Sequence, residues 1–451
     1  MASAAEQLAA NMNFASFQKA TELHKRIWFT IIALVVYRLG SYVPIPGVDV
    51  NAFARLFSNN SEGILGMFNM FSGGAVSRMA IFSLNVMPYI SASIIVQLMG
   101  SVYPPWEKLK KEGGEAGRKT LNQYTRYLAV VLAIVQSASI AMGLQAQPGV
   151  VAGGISPAFF VVSTVVVLTG GTLFVMWLGE QITSRGVGNG VSLIIFAGIV
   201  AHLPIAIGQL LVQSQTSGNY TPLFLILIGC IVAILAIVFM ERSQRRLLVH
   251  YPKRQQGNRM IGGESSFMPL KINTAGVIPP IFASSLLLLP TPALQFINTA
   301  NLPQWASWVP GVAGTLQHGH PMFLVFYALL IIFFSFFYTS VVFNPEETAE
   351  NLRKYGGFLP GIRPGKRTAE YLDYVLTRLT VIGAAYITAV CIAPEFVMMA
   401  IKSNQFALGG TSILIVVTVT MDTVAQIQSH LLAHQYEGLI KKSKLRGGRN
   451  R

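Results

Sequence analysis

Residues 322–343, with the sequence MFLVFYALLIIFFSFFYTSVVF, contain no charged side chain. A helix of about 20 apolar residues is long enough to cross the hydrocarbon core of a bilayer. Nine further stretches have a similar length and a mostly apolar composition. The ten predicted spans are 24–43, 80–101, 124–144, 158–178, 191–212, 221–240, 274–292, 322–343, 378–399 and 411–432. The sequence therefore predicts an all-α integral membrane protein with ten transmembrane helices.

The overall composition agrees with this prediction. Charged residues make up 11% of the chain and hydrophobic residues 52%, whereas a soluble domain has about 25% charged residues. Cys230 and Cys391 both lie inside apolar spans, which indicates buried thiols and no disulfide framework. The residues before the first span are polar, so we expect that span to be an internal start signal and not a cleavable signal peptide.

Lysine and arginine residues are concentrated on one side of the predicted membrane. Of the 33 basic residues, 27 lie in alternate segments, and the intervening loops hold only Arg55, Arg78 and Lys402. The positive-inside rule then predicts that both termini are cytoplasmic. The net charge of +15 belongs to this face, so it signals membrane orientation rather than DNA binding. The basic segments are 1–23 with the entrance of the first span, 102–123, 179–190, 241–273, 344–377 and 433–451.

The ten spans divide into two halves of five. An odd number of spans in each half would make the halves inverted relative to one another, as in many pore and transporter folds. The predicted units are an N-terminal half (1–212), a C-terminal half (213–432) and a basic cytoplasmic tail (433–451). The halves have no convincing sequence identity, so the prediction of two pseudo-symmetric inverted halves rests on the count of spans.

The segment 61–79 does not fit the scheme of ten spans. Its apolar part is too short to cross a membrane, and it carries four glycines. One interpretation is a half-helix that lies in the membrane interface. The other is a re-entrant half-helix that enters a central cavity, because irregular backbone at membrane depth is tolerated only inside protein or along a water-filled path.

Two predicted spans carry more polar side chains than a lipid-facing helix needs. Such side chains mark either ordinary hydrogen bonds between helices or an aqueous path. Two whole helices of this kind favour a movable, partly wet contact between them. The second span holds Asn85, Ser91, Ser93 and Gln97, the seventh holds Asn273, Thr274, Ser284 and Ser285, and the third holds Gln136.

The sequence lacks the residues that a pump or an enzyme would need. Asp422 is the one carboxylate inside a span, whereas ion-coupled carriers usually need several, and it can also be read as a helix-pairing group. GIRPGKRT (361–368) departs from a phosphate-binding loop at both ends. We find no metal-ligand spacing and no catalytic set, so we expect no cofactor and no enzymatic activity. A passive conduit is favoured over the two rivals, a secondary transporter and a YidC-like insertase.

Eight motifs resemble the bacterial SecY family, in order and without a large gap, from about residue 14 to 445. This resemblance implies a channel that moves unfolded secretory polypeptides across the inner membrane. The motifs are MFNMFSGGAVSR (67–78), MPYISASIIVQL (87–98), KKEGGEAGRKTLNQYTRY (110–127), MWLGEQITSRGVGNGVS (176–192), HYPKRQQG (250–257), AGVIPPIFASS (275–285), FNPEETAENLRKYGGFLPGIRPG (343–365) and FALGGTSILIVVTVTMD (406–422).

The resemblance implies a plug and a pore ring. The plug is a re-entrant half-helix at about 64–78 that closes the channel from the outer side. The ring is an aliphatic constriction that would gate by dewetting. The plug residues implied are Ile64, Met67, Phe68, Asn69, Phe71, Ser72, Gly73, Gly74 and Arg78, and the pore-ring residues are Val86, Ile90, Val191, Ile195, Ile281 and Ile415.

The resemblance also implies a lateral gate between spans 2 and 7, through which signal and transmembrane helices would leave sideways into lipid. Polar gate positions match Ser91, Gln136 and Asn273. Helix geometry adds Ser285 and Leu289 as outer partners of Ser91, since the two spans are antiparallel.

Partners are implied at the basic loops, where Arg245, Arg246, Lys253, Arg254 and Arg363 would dock a motor or a ribosome. The family implies assembly with SecE and SecG, docking of the SecA ATPase or the ribosome, and contact with SecDF and YidC. The substrates would be unfolded preproteins, and the location would be the bacterial inner membrane.

Overall fold

The computed structural model describes residues 21–60, 69–112, 114–147, 149–151, 154, 156–218, 220–251, 254–256, 259–261, 265–288, 321–401 and 410–447. Most of these residues are helical. In chain order the helices are α1 (Thr21–Gly40), α2 (Val50–Asn60), α3 (Met87–Val102), α4 (Pro104–Glu112), α5 (Gly114–Ala146), α6 (Pro157–Arg185), α7 (Gly190–Ser217), α8 (Thr221–Arg242), α9 (Ile278–Leu288), α10 (Pro321–Val342), α11 (Pro345–Lys354), α12 (Lys366–Ile401) and α13 (Gly410–Gly447).

Each of the ten predicted spans coincides with a helix: α1, α3, α5, α6, α7, α8, α9, α10, α12 or α13. Within the described ranges, seven of these are long and apolar enough to cross a membrane, and α3 and α9 are shorter apolar helices. α1 has a suitable length but carries charges at Glu22, Lys25, Arg26 and Arg38. The prediction of a mostly helical, multi-pass membrane protein is confirmed.

The second predicted span begins later than its apolar sequence suggested. α3 begins at Met87 and not at residue 80, with Pro88 in its first turn. Met79 and Asn85 have φ values of 47° and 49°, which a right-handed helix does not allow. The residues between them are apolar because they are buried inside the protein and not because they face lipid.

Several helices extend beyond the predicted spans, and α12 and α13 extend furthest. α12 begins at Lys366, within the predicted loop 344–377, because Leu372, Val375 and Leu376 pack in a hydrophobic core outside the apolar span. α13 continues to Gly447, so the described part of the basic tail is helical and not an irregular extension.

The loop 241–273 contains β-structure that the sequence analysis did not predict. β1 (Gln244–His250) pairs with β4 (Ser265–Lys271), and β2 (Arg254–Gln256) pairs with β3 (Arg259–Ile261). Both pairs are antiparallel, and the first runs in register from Gln244 opposite Lys271 to His250 opposite Ser265. Leu247 and Val249 are buried, at the alternate positions that a half-buried strand requires.

The helices pack in two groups that follow chain order. α1, α3, α5, α6 and α7 contact one another, and α8 contacts α12 and α13, while α10 contacts α9 and α12. In the part of the chain that the structure describes, the larger contacts between the groups join α3 with α9, α7 with α8, α7 with α13, and α1 with α13. The pairing of α3 with α9 brings together the two polar spans singled out from the sequence.

Candidate functional site

The six predicted ring residues lie in one hydrophobic cluster, which we call the collar. Val86, Ile90, Ile195 and Ile415 are buried, while Val191 and Ile281 are partly buried and pack against the same cluster. They come from α3 and the turn before it, from α7, α9 and α13, and therefore from both groups of helices. The same cluster contains many other buried side chains of these helices, so the six residues belong to a shared aliphatic core where both groups of helices meet.

The segment before α3 packs against the collar. Residues 69–71 form one helical turn, and successive turns follow it. Residues 69–76 are all buried, and Phe71 belongs to the collar cluster. This placement inside the protein agrees with a re-entrant segment and not with an interfacial one. Ile64, Met67 and Phe68 lie outside the described residues, and the described part is mostly turns rather than a half-helix.

Three successive plug carbonyls are bound by side chains from outside the turn. Buried backbone carbonyls need partners, and these partners fix the segment against its neighbours. The oxygen of Phe71 accepts from Asn85 Nδ2 (2.8 Å), that of Ser72 from the Tyr37 hydroxyl (3.3 Å), and that of Gly73 from Arg38 Nη1.

The plug backbone also lies directly against α7. A Cβ atom on Gly198 would come within 2.5 Å of the Phe71 oxygen and 3.1 Å of the Gly73 nitrogen. Gly73 itself has a φ of +67°, which favours glycine. Gly198 is a site residue that the sequence analysis missed.

Arg38 and Arg78 lie over one aromatic ring. The guanidinium carbons of Arg38 and Arg78 are 4.8 and 4.1 Å from the ring centroid of Tyr42, and Arg38 Nη2 donates to the Tyr42 hydroxyl (2.9 Å). Such cation–π contacts add stability to the seated plug. Arg38 lies inside the first predicted span, 24–43, and a charge within a span is itself a functional signal.

We expect Arg38→Gln to make the closed channel leak ions. The variant loses the bond to Gly73 and the contact with Tyr42, and a hydrogen bond to a charged group contributes about 1.5–3 kcal/mol. That free-energy change corresponds to roughly a tenfold or greater rise in the fraction of molecules whose plug is unseated. The ion conductance of membranes that contain the reconstituted variant measures this leak. Arg378→Gln is the matched control, since Arg378 stacks on Tyr374 at 4.2 Å outside the plug. Equal conductance of the Arg38 variant and the unmodified protein would remove Arg38 from the seal.

The predicted lateral gate lies where α3 contacts α9. Ser91 and Asn273 are buried, and Gln136 is half-buried on α5. The Ser285 hydroxyl donates to Met87 Sδ at 3.7 Å, so Ser285 lies beside α3 one turn before Ser91 and not level with it. Leu289 lies outside the described residues.

The two long basic loops form one structure, which we call the loop body. It consists of β1, β4, α11, residues 355–365 and the start of α12. His250 and Phe358 exchange backbone hydrogen bonds of 2.9 and 3.0 Å. The shared core contains Leu247, Val249, Leu270, Ala349, Leu359, Ala369, Leu372, Val375, Leu376 and Leu379.

The predicted docking arginines lie on this body. Arg245 and Arg246 are exposed on β1, and Arg363 is exposed between Gly361 and Gly365, whose φ values of +79° and +110° favour glycine. The Thr368 hydroxyl donates to the Arg363 carbonyl (3.1 Å), so the turn is fixed independently of the arginine side chain. Arg254 lies on β2, and Lys253 lies outside the described residues.

Among the residues that the structure describes, no group of three or more His, Cys, Asp or Glu side chains could hold a metal ion. The candidate site consists of the aliphatic collar cluster, the buried segment 69–76 with its side-chain hydrogen bonds, the contact between α3 and α9, and the exposed basic surface of the loop body. These parts suit passage and docking.

Comparison with known sequences gives close matches over nearly the whole chain. A family model described as SecY matches residues 80–424. A protein translocase subunit SecY of Rickettsia typhi is 51% identical over 442 residues, which cover 96% of this chain and 99% of the relative. A protein translocase subunit SecY of Vibrio cholerae is 52% identical over 429 residues, which cover 95% and 96%.

Solved structures share the fold at low sequence identity. A protein-conducting channel matches with a TM-score of 0.63 at 18% identity, covering 90% of this chain and 92% of the other. A SecY channel studied for its plug domain matches with a TM-score of 0.64 at 19% identity and the same coverage. Sec61 in a canine ribosome–channel complex has a TM-score of 0.60 at 18% identity, again with 90% and 92% coverage.

Proposed function

The chain belongs to the SecY family, and we propose that it is the subunit of a protein translocase through which unfolded polypeptides pass across a membrane or leave sideways into lipid. Relatives about 51% identical are protein translocase subunits SecY. The observation that carries the proposal is the convergence of six aliphatic side chains from α3, α7, α9 and α13 in one cluster.

The collar and the plug account for a seal that opens. A narrow ring of branched apolar side chains holds no stable water, so ions do not pass when the plug is seated. An extended polypeptide that displaces Phe71 would be surrounded by the same side chains. Contacts between flexible aliphatic side chains and a passing polypeptide do not depend on that polypeptide's sequence, which suits a channel for many different substrates.

The seam between α3 and α9 is the lateral gate in this proposal. One of its contacts is the weak hydrogen bond from the Ser285 hydroxyl to Met87 Sδ at 3.7 Å. A signal helix would separate the two helices and reach lipid. The two halves, 1–212 and 213–432, would move apart at this seam and remain joined through the contacts of α7 with α8 and α13.

The energy for polypeptide movement comes from a partner that docks on the loop body. The exposed Arg245, Arg246 and Arg363 would attract an acidic surface, and complementary charge speeds and orients such encounters. We assign this role to the SecA ATPase and the ribosome. SecE and SecG would complete the membrane complex, with SecDF and YidC as further contacts.

The basic face is assigned to the cytoplasm. This orientation puts both termini and the loop body inside the cell and the plug on the outer side of the bacterial inner membrane. It places the docking surface where a cytoplasmic motor or a ribosome can reach it.

The collar assignment is tested with Ile415→Asn. A buried amide in the constriction holds water, so ion conductance should rise, and weaker signal sequences should be accepted. Val424→Asn is the matched control, because Val424 is exposed on the same helix. If conductance and signal stringency stay unchanged in the Ile415 variant, the collar is not the seal.

A further inference from the structure

A hydrogen-bonded clip holds the entrance of the gate helix α9. Asn273 lies in the short connection between β4 and α9, and only 4% of its surface is exposed. Its Nδ2 donates to Glu241 Oε1, and its Oδ1 accepts from the Gly276 nitrogen at 3.0 Å. One side chain therefore both shapes the turn into α9 and binds the end of α8.

The backbone around Asn273 is held from two further directions. The Ile272 nitrogen donates to the Ser243 carbonyl at 3.2 Å, which ties the connection to the residue after α8. On α12, a Cβ atom added to Gly383 would lie 2.9 Å from the Ile272 oxygen and 3.6 Å from the Asn273 Cα atom. Residues 272 and 273 are therefore enclosed by α8 and α12.

The clip lies between the core of the loop body and the collar cluster. Ile272 packs against the core of the loop body. Val277 is buried in the collar cluster, and Ile278 packs against it. Residues 273–276 therefore form the link between β4 and α9 that joins the two cores, and the Asn273 hydrogen bonds order this link. The helix α12 also contributes side chains to both cores.

Glu241 is an unusual residue for its position. It stands near the end of the strongly apolar helix α8, where a carboxylate is expensive to hold at the membrane boundary. Glu241 is not needed to end the helix, because α8 ends at Arg242 and Ser243 is its C-terminal cap. A charge-assisted hydrogen bond to a buried amide is stronger than a neutral one, so it gives the carboxylate a specific use.

We propose that Glu241 is a positioning residue: through Asn273 it fixes the start of the gate helix to α8, so that a displacement of the loop body is transmitted to α9. The proposal rests on the docking surface and the gate proposed above. Without the clip, the loop body would still bind its partner, but α9 would no longer follow.

Charge alone is the competing explanation, because Asp422 on α13 and Lys271 at the end of β4 also act on Glu241 electrostatically. Asp422→Asn separates the two explanations. It removes one exposed negative charge from the same neighbourhood and leaves the Glu241–Asn273 bond in place.

The test measures the α3–α9 contact with and without SecA. Cysteines replace Met87 and Ser285 in the reconstituted protein, and the rate of their cross-linking reports the closed gate. SecA should lower this rate in the otherwise unmodified protein and in the Asp422→Asn variant. Glu241→Leu removes the acceptor, and Asn273→Asp places a second carboxylate against Glu241. In both variants we expect the change in cross-linking rate caused by SecA to shrink about fivefold or more, while SecA affinity stays unchanged.

The double variant Asn273→Asp with Glu241→Gln supplies the rescue. The glutamine amide can donate to the new carboxylate, so the bond returns with its direction reversed, and the response to SecA should return with it. The inference is overturned if Glu241→Leu and Asn273→Asp respond like the unmodified protein, or if the double variant stays as impaired as Asn273→Asp. A loss of SecA binding, or no response in the unmodified protein, would instead overturn the docking and gate proposals on which the inference rests.

Discussion

Joining positions 87 and 285 should stop export completely, and releasing them should restore it. In this experiment Met87 and Ser285 are both replaced by cysteine and joined by a short thiosulfonate linker that reduction removes. The native side chains touch at 3.7 Å across the α3–α9 seam. A direct disulfide needs Cα atoms within about 7 Å, and the linker relaxes that limit. A covalent bridge would hold the gate closed, so no signal helix could enter it.

A cysteine pair inside one half is the matched control. The hydroxyls of Ser137 on α5 and Thr169 on α6 lie 3.4 Å apart, and both residues belong to the N-terminal half. Cysteines at these positions should cross-link as well and leave export unchanged. Equal export by the bridged and reduced Met87–Ser285 variants would mean that the gate lies elsewhere.

Arg363→Glu should lower motor-driven export by roughly tenfold or more, since reversing a charge replaces attraction toward an acidic partner surface by repulsion. The side chain is exposed, and its turn is fixed by glycines and by the Thr368 hydroxyl. Folding and membrane insertion should therefore be unaffected. Export by vesicles that contain the variant measures the effect, with the amount of inserted protein held equal.

Arg367→Glu distinguishes a docking contact from a general effect of charge. Arg367 is exposed four residues further along, and its reversal makes the same change in the net charge of the loop. We expect Arg367→Glu to export nearly normally. Equal losses in both variants, or normal export by Arg363→Glu, would reduce Arg363 to a charge that sets orientation.

Hydropathy predicted a helix at each of the ten positions, and seven of the described helices are long and apolar enough to cross a membrane. The method works because a helix that faces lipid must be apolar over its length. It failed at the ends of helices, for physical reasons. Residues 80–86 are as apolar as a span but are buried in protein, where turns are allowed. Residues 366–377 are too polar for a span, yet they continue α12 because one face packs on the loop body.

The pairing of β1 with β4 was not predicted, because the prediction for the loop 241–273 rested on its basic residues alone. Burial alternates along β1, where Leu247 and Val249 are buried, but the residue between them, Leu248, is also apolar, so the sequence itself shows no alternating pattern. The packing of this hairpin against residues 344–365 could not be predicted, since it depends on contacts between segments about a hundred residues apart.

The collar residues were found by resemblance and not by their own chemistry, since an aliphatic residue in a span gives no signal of its role. Arg38 lies inside the predicted span 24–43 and Glu241 directly follows the predicted span 221–240, but the sequence does not predict their partners. Arg38 binds Gly73, 35 residues away, and Glu241 binds Asn273, 32 residues away. Only tertiary structure brings these pairs together.

The most direct test of the channel is to arrest a polypeptide halfway through the protein and ask which residues it touches. A photoreactive or thiol probe in the arrested chain should cross-link to cysteines placed at Ile90, Ile195 and Ile415. It should not react with a cysteine at Leu235 on α8, which is 65% exposed on the apolar surface. Cross-links at Leu235 with none at the three collar positions would contradict passage through the collar.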